Sequence, residues 1–204
     1  LAKMAEANGI HCKRLVFSWF ERPDPDAVRA ALLADERLDT VALVHHETTT
    51  GLLNDIPAIA AVAKETGRRL IVDSVCGLAG EAFDFEVSEP AAICCTANKC
   101  VQGLPGVSFV FVRKGTPLTQ RAVSLELGNL LAKQAKGNTP FTPAIQVTAA
   151  FEAALDELIE ETVDGRVARY ANAAKTLRGA AASLGLTFLL PAHLHSNTIT
   201  CMHL

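Results

Sequence analysis

Residues 40–74 read TVALVHHETTTGLLNDIPAIAAVAKETGRRLIVDS. The stretch begins with an unbroken apolar run at 40–44 and closes with another at 70–72. Between them Ile56, Ile59, Ala60 and Ala63 fall at helical spacing. Asn54 is the candidate N-cap of that helix, and Gly67 ends it after a last turn of mixed charge. Strand, loop, helix and strand in this order make a βαβ unit. Continuous rather than alternating apolar strands belong to a parallel sheet with both faces covered. Runs at 91–95 and 107–112 add two further strands. Upstream, 15–20 reads as a short buried strand and 24–33 as a helix with Pro25 tolerated in its first turn. Beyond the Pro-containing segment 139–143, Ile145, Ala149, Leu155, Leu158 and Ile159 support one long helix, and 167–184 supports another that Gly185 ends. The runs at 186–190 and 197–204 read as strands of a small second unit. The expected class is therefore α/β, a mostly parallel sheet with helices on both faces. Its large domain covers 1–162, and a small α+β domain begins at 163–204.

Composition narrows the function. The chain has 204 residues, half of them hydrophobic, which excludes a disordered tail. Nineteen basic against 22 acidic side chains give a formal charge of −3 without any run of like charge, so neither nucleic acid nor an anionic membrane is an expected partner. No apolar run approaches the ~18 residues that a membrane span needs. The six cysteines lack paired C-x-x-C spacing, which argues for reduced thiols in the cytoplasm rather than for disulfides or zinc. His45 and His46 adjoin Glu47, but neighbours on a strand point to opposite faces and cannot share one metal ion. The sequence starts at Leu1 with neither an initiator Met nor a signal segment, and is expected to be a piece of a longer chain.

In an open parallel sheet, ligands bind beyond the carboxyl ends of the strands. Three polar clusters fall at such ends: His45 to Gly51, Asp73-Ser74-Val75, and Thr96-Ala97-Asn98-Lys99. A carboxylate at a buried strand end is costly unless a cation meets it. Two readings of Asp73 and Lys99 follow. They form a structural ion pair, or a cofactor separates them, with Asp73 on a protonated ring nitrogen and Lys99 in a Schiff base. Thr48 to Thr50 also reads as a turn cluster, Val75 as core, Asn98 as a local backbone ligand, and Thr139 as a turn residue before a Pro-started helix.

The wording of these segments is more specific than their positions. Glu47-Thr48-Thr49-Thr50-Gly51, Ile71-Val72-Asp73-Ser74 and Ala97-Asn98-Lys99-Cys100-Val101-Gln102-Gly103-Leu104-Pro105-Gly106 resemble, in order and spacing, the class V, fold-type I pyridoxal phosphate-dependent aminotransferases. The last segment resembles the branch that acts on 2-aminoethylphosphonate and pyruvate more than the serine- or alanine-glyoxylate branch. The resemblance implies pyridoxal 5'-phosphate as cofactor, Lys99 as the Schiff-base lysine and proton shuttle, and Asp73 as the partner of the pyridine nitrogen. It further implies Thr48 near the ring oxygen, Val75 under the ring, Asn98 beside the phosphate, and Thr139 reaching the cofactor phosphate of the other subunit of a homodimer. The implied partners are a small-molecule amino donor and a 2-oxo acid acceptor. A glycine-rich phosphate segment and an aromatic ring-stacking residue before Leu1, and a carboxylate-binding arginine after Leu204, have no counterpart here. A non-catalytic fragment of such an enzyme is the remaining alternative.

Overall fold

The computed structural model describes residues 1–203. A short helix α1, Ala2–Ala7, leads through extended chain to α2, Pro25–Ala34. Asp24 caps α2 by accepting from Asp26 N, with Pro25 in the first turn. Strand β1, Thr40–Val44, continues into a small hairpin of β2, His46–Glu47, and β3, Leu52–Leu53, and then into α3, Ile56–Glu65. After β4, Arg69–Asp73, come the one-turn helix α4, Phe85–Ser88, and the strands β5, Ala92–Thr96, and β6, Ser108–Val112. The remainder is helical: α5, Leu127–Gln134, α6, Ile145–Glu161, α7, Val163–Ser183, and a 3-10 turn at Ala192–Leu194. Among the described residues no helix is long and apolar enough to cross a membrane.

Four strands form one sheet in the order β1-β4-β5-β6. The first three are parallel, because α3 and α4 return the chain between them. β6 is antiparallel to β5, since the connection from Thr96 to Ser108 contains no helix to carry the chain back. Val28 and Leu32 of α2, Ile59 and Val62 of α3, and Leu70, Val72, Ile93 and Cys95 of the sheet form the main core. Each large aliphatic side chain sealed there contributes about 1.5–3 kcal/mol over its exposed state. A second cluster joins Ala79, Cys100 and Val101 to Ala154 and Leu158 of α6, and Phe109 stacks on Phe151 at 5.2 Å. The helical cover is uneven. α2 and α3 lie over one face, whereas Ala42, Ile71, Cys94 and Val110, on the other face by alternation, are half-buried or exposed.

Four local expectations are corrected. Residues 15–20 form no strand: 19–20 lie in a turn that Glu21 N closes by donating to Ser18 O. Val16 is 89% exposed, and nothing among the described residues offers the segment a ladder of hydrogen bonds. Asp55, not Asn54, caps α3, by accepting from Ala58 N at 3.0 Å; the Asn54 amide donates instead to Val44 O at 2.9 Å and closes the end of β1. The last helix begins at Val163, ahead of 167, because Thr162 breaks from α6 at φ 66° and accepts from Gly165 N. The runs at 186–190 and 197–203 share one antiparallel bridge, Phe188 with Met202, rather than forming strands; residue 204 lies outside the described residues.

Candidate active site

Because β1, β4 and β5 are parallel neighbours, their carboxyl ends lie side by side. His45 follows β1, Asp73 ends β4, and the turn bearing Asn98 and Lys99 follows β5. Backbone bonds lock these ends together: His45 N donates to Asp73 O at 2.8 Å, and Ser74 N to Cys94 O at 2.9 Å. The Asp73 carboxylate is half-buried and accepts from Val75 N at 3.1 Å. Lys99 is exposed. Among the described residues neither makes an ion pair, with the other or with any third group, so the structural ion-pair reading does not hold.

The two charges nevertheless share one neighbourhood. Burial raises the Cys76 thiol above its ordinary range, the Lys99 charge opposes that rise, and the Asp73 charge adds to it. The Glu47 carboxyl is likewise raised, by burial and then by the Asp73 charge. Thr48 is exposed in the turn of that hairpin, which Gly51 N closes by donating to Glu47 O at 2.8 Å. Val75 is half-buried. Asn98 is half-buried with its Oδ1 2.7 Å from Thr96 Oγ1, while its amide nitrogen has no protein partner among the described residues. Thr139 is exposed in the loop after α5, and its hydroxyl donates to Phe141 O at 2.8 Å.

Behind this front lies a shell of buried polar groups. His45 Nδ1 is 3.0 Å from Ser74 Oγ, and His46 Nδ1 is 3.3 Å from both Cys76 O and Thr198 Oγ1. Burial, then the neighbouring His46, pushes His45 down to about 4 and leaves it neutral. The C-terminal segment closes the shell: Ser196 N donates to Gly51 O, and Asn197 N donates to the buried Glu81 at 2.6 Å. Arg178 holds the same segment through Ser196 O, Ile199 O and Thr200 Oγ1. No local sequence signal marks Glu81, Arg178 or Arg166, whose guanidinium clamps the lysine turn. Each takes its meaning from contacts between residues far apart in the chain.

The chain matches the class-V aminotransferase family over residues 1–176. It is 36% identical over 208 residues to a 2-aminoethylphosphonate–pyruvate transaminase of Syntrophobacter fumaroxidans, covering 98% of this chain and 56% of that protein. A protein of the same description from Klebsiella pneumoniae is 34% identical over 210 residues, covering 100% of this chain and 57% of its own length. Among solved structures, an aspartate aminotransferase of subgroup IV from Thermus thermophilus superimposes with a TM-score of 0.89 at 26% identity, over 100% of this chain and 57% of that one. The chain thus spans a little over half the length of the relatives it matches.

Proposed function

The chain belongs to the class V aminotransferase family, and on that premise we propose that the whole protein transfers the amino group of 2-aminoethylphosphonate to pyruvate, giving phosphonoacetaldehyde and alanine. The family implies pyridoxal phosphate. One observation carries the reading to these residues. Asp73 and Lys99 stand at neighbouring strand ends, both in the field of Cys76, and each lacks an ion-pair partner among the described residues. A half-buried carboxylate without a cation is unfavourable by itself. A group that brings a protonated ring nitrogen to Asp73 and an aldehyde to Lys99 satisfies both.

When bound, pyridoxal phosphate supplies the electron sink for amino transfer. Asp73 keeps a proton on the ring nitrogen, and the bond from Val75 N fixes the direction of its carboxylate. Lys99 anchors the cofactor through Nζ and, once released, carries a proton at that atom. Thr48 would hold the group near its ring oxygen, Val75 would support the ring, and the free amide of Asn98 would bind the phosphate. Thr139 would serve the cofactor phosphate of a second subunit in a homodimer. Residues 1–162 belong to the large cofactor domain and 163–204 to the start of the small one, in a cytoplasmic enzyme. The identity to the 2-aminoethylphosphonate–pyruvate transaminases supports this donor over α-amino acids.

The test is an absorbance spectrum of the whole protein loaded with pyridoxal phosphate, taken before and after 2-aminoethylphosphonate is added without acceptor. The expected result is conversion of the lysine-bound cofactor band to the pyridoxamine band, with no lysine-bound band in Lys99→Ala. A band that responds only to alanine or serine moves the function to the glyoxylate branch. No band in the wild type refutes the assignment of Lys99.

A further inference from the structure

Arg166 is 2% exposed, in the first turns of α7, although its guanidinium must remain charged. Its Nη1 donates to Val101 O at 3.0 Å and to Cys100 O at 3.3 Å, and its Nε donates to Glu161 Oε2 at 2.6 Å. No backbone N–H of the described residues reaches either carbonyl. Glu161 also takes Arg169 on its other oxygen at 2.5 Å, and these two arginines hold its carboxyl down at about 2, ionised at every working pH.

The carbonyls belong to the two residues that follow Lys99. That turn is closed from within by Gln102 N donating to Lys99 O at 2.9 Å and Gly103 N donating to Ala97 O at 2.7 Å. It bends through Gln102 at φ 67°, a left-handed conformation that a side chain disfavours and that neighbouring contacts must hold. The Gln102 amide in turn donates to the Tyr170 hydroxyl at 2.9 Å. Sealing a guanidinium inside a protein is costly unless its donors are satisfied. Here its fixed fork meets two carbonyls that no backbone N–H of the described residues reaches, and a carboxylate that it shares with Arg169.

We propose that Arg166 is a positioning residue for Lys99. Acting through the backbone of Cys100 and Val101, it fixes the turn so that Nζ meets the cofactor aldehyde, where nitrogen forms a C=N bond to the aldehyde carbon and the oxygen leaves as water. The inference rests on Lys99 being the attachment lysine. A misplacement of 1 Å is enough to cost about a hundredfold in rate.

The test uses the full-length protein. The rate at which pyridoxal phosphate becomes attached is read by borohydride reduction and the mass of the Lys99 peptide. In parallel, affinity is measured for pyridoxine 5'-phosphate, which has an alcohol in place of the aldehyde and cannot react. In Arg166→Met, attachment slows by about tenfold or more while affinity for the alcohol analogue stays within about twofold, and Arg166→Lys recovers part of the rate. Glu161→Gln leaves the buried arginine in place but weakens its anchor, and slows attachment about threefold, so that a variant that fails to fold does not end the test. Equal loss of attachment and analogue affinity makes Arg166 a support of the fold alone and overturns the proposal. So does unchanged attachment in both variants. A wild type that binds the analogue yet is never modified at Lys99 refutes the lysine assignment itself, and is distinguishable from both.

Discussion

Glu81 and His45 are two buried titratable side chains whose protons respond to pH in opposite senses. Burial raises the Glu81 carboxyl from 4.5 to about 7, against the opposing effects of the Asn197 N–H and the Arg178 charge. The folded protein therefore holds this proton more tightly than the unfolded chain, and stability falls as pH rises between about 4.5 and 7. His45, lowered from 6.5 to about 4, does the reverse: the unfolded chain takes up the proton first, and stability falls as pH drops through that window. The two slopes oppose each other where they overlap. Glu81→Gln keeps an oxygen for Asn197 N and removes one slope. It is expected to stabilise by about 2–3 kcal/mol above pH 7 and by little near pH 4.5. Its stability then rises with pH through the His45 window. Urea unfolding at both ends of the range checks this, and an equal effect at both contradicts it. The strand-end positions of Asp73 and Lys99 are legible in the sequence because each follows or ends an apolar run within a distinctive motif. Glu81 is not, since nothing local marks a carboxylate that is buried by a segment 116 residues later.

The turn after β4 shows how little slack the elements leave. A Cβ built on Gly77 would lie 2.3 Å from His45 Nδ1, the atom that faces Ser74 Oγ. Gly77→Ala must displace the imidazole, break that contact, or shift the turn. It is expected to lower stability by about 1–3 kcal/mol, read as a lower midpoint in urea with an unchanged slope. The βαβ unit is readable because its apolar runs supply their own evidence: β1 is Thr40–Val44 as expected, and α3 buries Ile59, Ala60 and Ala63. Strand direction is not readable from such runs. An apolar stretch suits either direction, and the antiparallel β6 follows from its connection. The run at 15–20 misleads for a related reason: a strand is a property of a pair, and Val16 and Trp19, 89% and 67% exposed, have no strand beside them. Asn54 and Asp55 are both good caps by type, and only the carbonyl of Val44, delivered by β1, decides between them.

Taken whole, the molecule is apolar where it meets solvent between the sheet and α6. α5 buries no residue, and Val123, Leu125 and Phe141 around it are 79%, 83% and 53% exposed. Exposed apolar groups of this size suit an association surface, and the homodimer proposed above would place its second subunit here. The full-length protein is expected to sediment as a dimer, and Val123→Asp with Leu125→Asp to weaken the dimer by about tenfold or more without changing the helix content of each subunit. A dimer unaffected by both changes would move the interface elsewhere. The antiparallel return of β6 bears also on how the chain forms the loop that carries Lys99. Thr96 Oγ1 and Val107 O meet across only 11 positions, and Ala97 N donates to Val107 O at their side, so the loop bearing Lys99 is cinched at its neck by local contacts. Closing so short a loop sacrifices little chain entropy, whereas β1 must find β4 across a whole helix. The lysine loop can therefore be drawn shut early in folding, before the distant strands that bring Asp73 to it have found their register.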